Sequence, residues 1–177
     1  ITAVGTPAQV EKYGSSYAAM CITEPSTGSD SANISTTAVL DGEEWVLNGE
    51  KIYVTDGDRA DTLVVWATLD KSLGKAAIKS FIVEKGTPGC EVTRLEHKMG
   101  IRASDTAAIS FSDCRIPKDN ILGSAEVATD AEGRKKAFGG VMQTFDNTRP
   151  PVAAMAVGVA RAALDMAQAL LKEEGVE

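Results

Sequence analysis

Short apolar segments with a period of two dominate the chain from about residue 18 to residue 116. Within Trp45–Val54, Asn48-Gly49 stands between two β-prone arms, a pair that favours a type I′ hairpin turn. We therefore predict a hairpin with its turn at Asn48-Gly49. The other expected strands cover residues 34–40, 62–69, 78–83, 91–94 and 107–111. About seven short strands separated by turns are typical of an antiparallel barrel or sandwich.

The two ends of the chain have the helical period instead. Residues 2–16 are expected to be the tail of a helix, with Thr6 as N-cap and Pro7 at the first helical position. Residues 138–171 are apolar at helical spacing, and Pro150-Pro151 is expected to kink or break them. Residues 124–136 are predicted to be a mobile excursion. Since the chain starts without methionine and ends inside a helix, we expect a fragment of a larger protein.

Composition excludes several classes of function. With 25 acidic and 18 basic side chains the net charge is −7, which argues against nucleic-acid binding. No apolar run is expected to reach the roughly 18 residues of a membrane span, so no membrane is expected. Three cysteines without a CxxC pair and one histidine, His97, predict no metal site. We interpret His97 as a solvated loop residue. The thiols suit a bacterial cytoplasm or a mitochondrial matrix, and we favour the bacterial cytoplasm.

One loop carries the strongest chemical signal. Met20–Asp30 runs from an apolar segment into a turn of Pro, Gly, Ser and Asp, which offers backbone N–H groups and small hydroxyls to a polyanionic or heteroaromatic ligand. Read alone, it could equally be an ordinary polar turn. Three further segments follow in order: Tyr53–Gly57, Met99–Thr106 and Phe145–Pro150. No Rossmann or P-loop glycine motif is present in the sequence.

In this order the four segments resemble the acyl-CoA dehydrogenase family of flavoenzymes. The resemblance implies a mainly β fold with flanking helices: an antiparallel β-barrel or sandwich middle domain, followed by the first long helix of the C-terminal helical bundle. Residues 1–16 would end the N-terminal helical domain. Residues 17–123 would form the middle β-domain, and residues 124–177 a linker and the truncated start of the C-terminal domain. FAD would be held between the β-domain and the C-terminal helices.

The resemblance also implies the cofactor-binding residues, which are Met20, Ile22, Thr23, Ser29, Tyr53, Val54 and Thr55. Ile22 and Thr23 would hydrogen-bond the edge of the flavin ring, and Ser29 would meet the cofactor near the CoA phosphates. Tyr53 would flank the flavin in place of the usual tryptophan, and Thr55 would bond its reactive edge. The alternative for Thr23 is a hydroxyl that satisfies a neighbour at the end of a strand. Asp56 replaces a usual Asn, and we expect it to face the turn.

The implied substrate-binding residues are Ser29, Phe145, Asp146, Thr148 and Arg149. Asp146 and Arg149 would reach the CoA part, for which the planar, always charged guanidinium of arginine is suited. The alternative is an Asp146–Arg149 ion pair on a solvated helix face. In the Met99–Thr106 segment, Arg102 and Asp105 are expected to tie the loop to the following strand.

The implied function is FAD-dependent oxidation of an acyl-CoA to trans-2-enoyl-CoA, by α-proton abstraction and hydride transfer to flavin N5. The parent would act in fatty acid β-oxidation, reduce an electron-transfer flavoprotein and form a homotetramer or dimer. No residue here is a credible catalytic base: Thr148 occupies the position where a minority of members carry it, and Glu24 is interpreted as structural. The isolated chain is thus expected to be inactive. The alternatives are an acyl-CoA oxidase, a superfamily member with a non-CoA substrate, or a non-catalytic β-domain scaffold.

Overall fold

The computed structural model of the chain describes residues 1–128 and 139–175. The chain divides into two compact units, Ile1–Ala137 and Phe138–Glu177, and each is described by itself. The first unit is mainly β with a short helix, and the second is a long helix, so the predicted fold class is confirmed. Most of the predicted excursion at residues 124–136 lies outside the described residues.

Helix α1 (Pro7–Tyr13) begins where the sequence predicts. The Thr6 hydroxyl accepts a hydrogen bond from Gln9 N (3.2 Å), and Gln9 Oε1 accepts one from Thr6 N (2.9 Å), which is a capping box. Gln9 Nε2 also donates to the carbonyls of Asp119 (2.6 Å) and Ile121 (2.8 Å). A single buried glutamine thus caps α1 and attaches it to the β-unit.

The β-unit contains a mixed sheet that does not close. Its described strands are β1 (Ala18–Cys21), β2 (Thr37–Asp41), β3 (Glu44–Thr55), β4 (Thr62–Thr68), β5 (Ile78–Glu84), β6 (Cys90–Leu95), β7 (Thr106–Pro117) and β8 (Ile121–Leu122). Their order is β6-β7-β3-β2-β4-β5-β8, with β1 also paired to β4. The β1–β4 and β2–β4 pairings are parallel and the remaining ones antiparallel. The short 3₁₀ segments are Ser31–Asn33, Lys71–Ala77 and Lys118–Asn120.

The predicted hairpin turn at Asn48-Gly49 is wrong. Strand β3 runs unbroken through both residues, and the turn lies between Asp41 and Glu44, where Gly42 has φ 63°. Gly49 has φ 151° and lies beside a register shift in which β7 carries the extra residue. A Cβ at Gly49 would lie 2.5 Å from Thr36 Oγ1 and 2.7 Å from Thr36 Cα. Glycine is therefore required here for the close approach of Thr36, not for a turn.

The core of the β-unit lies on the inward face of β1, β3, β4, β5 and β7. Trp45 and Phe81 meet edge to face in it, with ring centroids 5.3 Å apart. Other buried members are Cys21, Leu47, Val54, Val65, Val83, Ala107, Ile109, Phe111, Cys114 and Ile116. Beneath α1, Tyr13 packs with Ile82 and Leu122 in a smaller cluster.

Helix α2 (Gly139–Glu173) forms the second unit and runs through Pro150 and Pro151. The prolines therefore do not break it, and the Ala-rich residues that follow them favour helix. Its segment Asp146–Glu173 has a mean hydropathy of 1.4 in its most apolar window and is long enough to cross a membrane. This corrects the expectation that no apolar run approaches that length. Core helices of soluble proteins share the same length and composition.

Candidate functional site

The loop after β1 begins with a tight turn. Glu24 N donates to Thr27 O (2.9 Å) and Thr27 N donates to Glu24 O (3.1 Å) across Pro25 and Ser26. Ser29 follows on the exposed part of the loop. The proline and the paired main chains restrict the loop, so its backbone groups have fixed directions.

The structure brings the two main predicted cofactor segments together. Ile52 N in β3 donates to Thr23 O (2.8 Å), and Lys51 Nζ donates to Ile22 O (3.1 Å). The end of β3 therefore lies directly beside the end of β1. The sequence predicts that both segments bind one ligand, and a shared site requires that they lie side by side.

A bulge in β3 sets the direction of Tyr53. The pairing with β7 shifts between Lys51 and Val54, and Tyr53 lies there at φ 56° with 61 % of its surface exposed. A non-glycine residue in this region of backbone space is strained, and such strain concentrates at functional sites. The bulge turns the Tyr53 ring outward, whereas the Val54 side chain is buried in the core. Val54 can thus reach a ligand only through its backbone.

Several donors at this junction have no partner within residues 1–128 and 139–175. The N–H groups of Ile22 and Thr23 and the Thr23 hydroxyl make no hydrogen bond there. Ile22 is only 5 % exposed, and buried donors normally find an acceptor. The Thr23 hydroxyl does not satisfy a neighbouring group, which was the alternative. The donor set fits the carbonyl and nitrogen edge of a flavin. Met20 is half-buried in β1, and Thr55 is exposed at the end of β3.

A buried ion pair supports this junction from beneath. Lys51 Nζ lies 2.8 Å from Glu24 Oε1, and the two side chains are 0 % and 3 % exposed. Burial acts to raise the pKa of the Glu24 carboxyl, but Lys51 and the Thr36 hydroxyl outweigh it and lower that pKa to about 2. Burial lowers the pKa of Lys51. The Glu24 carboxylate therefore stays ionised and is fully engaged in hydrogen bonds within the β-unit, which supports the interpretation of Glu24 as structural.

The Met99–Thr106 loop is fastened to the turn after β3 through Asp105. Its carboxylate accepts from Asp58 N (3.1 Å) and lies 3.6 Å from Arg59 Nε, while its carbonyl accepts from Asp56 N (3.0 Å). Asp105 therefore has a structural role, but it ties the loop to the turn after β3 and not to the following strand, which was the prediction. Arg102 is exposed and makes no ion pair with any described residue. Asp56 accepts from the Ser104 hydroxyl (3.4 Å), so its side chain faces the Met99–Thr106 loop, whereas we expected it to face its own turn.

A cavity of about 310 Å³ beside the loop was missed by the sequence analysis. Its polar lining comes from Ser26, Thr27, Asn33, Ser35, Thr68 and Lys71. Thr68 Oγ1 is buried and has no partner among the described residues. Only the clustering of small hydroxyl residues in 26–36 could have indicated it.

The predicted substrate residues other than Ser29 belong to the second unit. Asp146, Thr148 and Arg149 are exposed on α2, and Phe145 lies in the same helix, where the structure does not describe its side chain. His97 is exposed in a loop, as predicted. No cluster of three metal-ligating side chains occurs in the part of the chain that the structure describes.

The fold and the site define a class: a mixed β-domain with free backbone donors beside its ligand loop, followed by a long helix. A family model described as "Acyl-CoA dehydrogenase, middle domain" matches residues 19–114. The chain belongs to the acyl-CoA dehydrogenase family.

Three relatives show how far the similarity extends. The chain is 40 % identical to the short-chain specific acyl-CoA dehydrogenase of Clostridium acetobutylicum, over 96 % of this chain and 44 % of that protein. Butyryl-CoA dehydrogenase from Megasphaera elsdenii is 40 % identical with a TM-score of 0.84, over 93 % of this chain and 43 % of that one. A chain from a structure described as the electron transferring flavoprotein of Acidaminococcus fermentans is 44 % identical with a TM-score of 0.87, over 98 % and 45 %. The chain thus spans less than half the length of these relatives.

Proposed function

We propose that this chain is the middle part of an FAD-dependent acyl-CoA dehydrogenase, and that the complete protein oxidises an acyl-CoA thioester to trans-2-enoyl-CoA. The observation that carries the proposal is the 2.8 Å hydrogen bond from Ile52 N to Thr23 O, which joins the two predicted cofactor segments. The free donors at Ile22 and Thr23 support a flavin edge as the ligand. Family membership supports redox chemistry on an acyl-CoA.

FAD, when bound, would supply the acceptor for the hydride that leaves the substrate. The residues of this chain would bind and orient it: Ile22 and Thr23 would donate to its edge, Tyr53 would cover the ring, and Thr55 would bond the reactive side. The base that takes the α-proton would be a glutamate outside this chain, since Glu24 is buried in an ion pair and Thr148 has no titratable group. The isolated chain would therefore be inactive.

The remaining partners are proposed from the same site. Ser29 and the α2 residues Phe145, Asp146, Thr148 and Arg149 would bind the CoA part, with the guanidinium directed to its phosphate or purine. An electron-transfer flavoprotein as acceptor is supported by the relative from Acidaminococcus fermentans. Exposed apolar side chains of α2 would pack in a homotetramer or dimer. The free thiols support a bacterial cytoplasm, and the reaction fits fatty acid β-oxidation.

The test is the visible absorption spectrum of the complete protein before and after anaerobic addition of short and medium acyl-CoA thioesters. We expect flavin bands that bleach. Flavin bands that persist with every thioester added would indicate that the substrate is not a CoA thioester. A protein that takes up no flavin would refute the proposal and leave the non-catalytic scaffold.

Thr23→Val tests the cofactor contact separately. The Thr23 hydroxyl has no partner among the described residues, so its loss should leave the melting temperature of the apo-protein unchanged. We expect the dissociation constant for FAD to rise about 3- to 10-fold, as for one lost hydrogen bond. The matched control is Thr93→Val, which removes a hydroxyl bonded to Ala108 O (3.3 Å) on β6. Equal FAD affinity in the two variants would exclude the Thr23 hydroxyl from the site.

A further inference from the structure

The buried Lys51–Glu24 pair is an unexpected feature of an otherwise apolar β-unit. Lys51 is among the largest side chains with no exposed surface. Removing two charges from water costs several kcal/mol per ion, and a well-packed apolar pair of the same size is often as stable or more so. The pair is therefore better explained by the arrangement it imposes than by stability.

The pair joins three separate segments of the chain. Lys51 Nζ donates to Glu24 Oε1 (2.8 Å) and to Ile22 O (3.1 Å). The Glu24 carboxylate also accepts from the Thr36 hydroxyl (2.6 Å), Thr36 N (2.9 Å) and Ser35 N (2.5 Å). The ligand loop, strand β3 and the segment before β2 thus meet at one pair of side chains.

Peptide geometry connects these contacts to the free donors. In a trans peptide the C=O and the following N–H point in opposite directions within one plane. The Ile22 carbonyl is held by Lys51, so the Thr23 N–H of the same peptide must point away from Lys51. The Thr23 carbonyl is held in turn by Ile52 N (2.8 Å). The direction of the free Thr23 N–H is therefore set by the side chain of Lys51 and the backbone of its neighbour.

We infer that Lys51 and Glu24 are positioning residues that aim the Thr23 N–H and hold Ile22–Thr23 in register with Tyr53 at the end of β3. The inference rests on the proposed function, because it assigns the pair a task in cofactor binding. An ammonium suits this task because it offers several donors from one atom, and two of them are used here. A methionine would fill the volume but leave the Ile22 carbonyl and the Glu24 carboxylate without their partner.

The experiment uses the complete protein and three variants: Lys51→Met, Lys12→Met and the double variant Glu24→Gln/Lys51→Met. Lys12→Met is the matched control, because it removes a Lys–Glu pair of nearly the same length (Lys12 Nζ to Glu84 Oε1, 2.7 Å) from an exposed position. For each protein we would measure the melting temperature of the apo-form, the dissociation constant for FAD, and the visible circular dichroism of the bound flavin.

Lys51→Met should melt at a lower temperature, because it leaves a buried carboxylate unpaired. It should also bind FAD about 10-fold more weakly or worse and change the flavin dichroism, whereas Lys12→Met stays within about two-fold of wild type. In the double variant no buried charge remains, so the melting temperature should recover. Its FAD affinity should stay low, because the Ile22 carbonyl is still not held. If the pair were purely structural, the double variant would instead recover both its melting temperature and its FAD affinity.

Two results would overturn the inference. A folded double variant with wild-type FAD affinity and dichroism would do so while leaving the proposed function intact, and this variant decides the matter if Lys51→Met does not fold. A wild-type protein that binds no FAD would overturn the proposed function and the inference with it. The two failures are therefore distinguishable.

Discussion

Gly49→Ala should be among the most damaging single-methyl additions in the β-unit. The new Cβ would lie 2.5 Å from Thr36 Oγ1, 2.7 Å from Thr36 Cα and 2.8 Å from Thr36 Cβ. Because one of these atoms is backbone, no side-chain rotation relieves the overlap. The backbone also has φ 151°, which a side chain rarely adopts.

The magnitude follows from two contributions. An unfavourable backbone region costs about 1–3 kcal/mol, and overpacking a closed site costs about 1–3 kcal/mol more. We therefore expect the free energy of unfolding to fall by roughly 4 kcal/mol. Gly42→Ala is the matched control: its φ is 63°, but no atom lies within 4 Å of the new Cβ. It should lose only the backbone contribution, about 1–2 kcal/mol.

The assay is urea unfolding of the 177-residue chain followed by tryptophan fluorescence. Both tryptophans, Trp45 and Trp66, are buried in the β-unit, so the signal reports on the sheet. The midpoint should decrease without a change in slope. If Gly49→Ala lost no more stability than Gly42→Ala, the contact with Thr36 would not be tight, and the explanation of Gly49 by the close approach of Thr36 would fail.

Two further predictions concern stability. The folded-state pKa of Glu24 is about 2, below its ordinary value of 4.5. The contribution of its ionised carboxylate to the free energy of unfolding is therefore present above pH 4.5 and is lost as the pH falls toward 2. The loss amounts to about 3 kcal/mol at most. The difference in unfolding free energy between wild type and Glu24→Gln should therefore shrink between about pH 5 and about pH 2.5. A difference that stays constant over this range would contradict the lowered pKa of Glu24. Thr6→Ala should lower the unfolding free energy by about 1 kcal/mol by removing the cap of α1, with Thr6→Ser near wild type as control. Equal melting temperatures for all three proteins would contradict the role of the cap.

Much of the fold follows from local patterns. Thr6 and Pro7 identify the start of α1 because capping and the fixed φ of proline act within one turn. The alternation of β-prone residues places most strands because the period of two depends only on the pleat. Parallel pairing of β1 and β2 with β4 has no such local signal, since it depends on the path of the chain between strands.

Strand β3 shows why the site was harder to predict than the fold. Asn48-Gly49 has the composition of a hairpin turn, but its conformation is decided by Thr36, twelve or more residues away in the sequence. A turn at Asn48-Gly49 would interrupt the alternation that places Trp45, Leu47 and Lys51 on one face. Continued through the glycine, the same alternation would have indicated a buried lysine. Its partner, Glu24, could not be inferred without the pairing of the loop to β3.

The two irregularities of β3 together build the candidate site. At the first, the absence of a side chain at Gly49 lets Thr36 approach closely, and Thr36 in turn binds the Glu24 carboxylate. At the second, the shift after Lys51 moves the next inward position to Val54, so Lys51 points to the loop while Tyr53 turns outward. A regular strand would bury Tyr53 by alternation. The departures from regular β-structure are thus where this chain places its buried lysine and turns Tyr53 toward the candidate site.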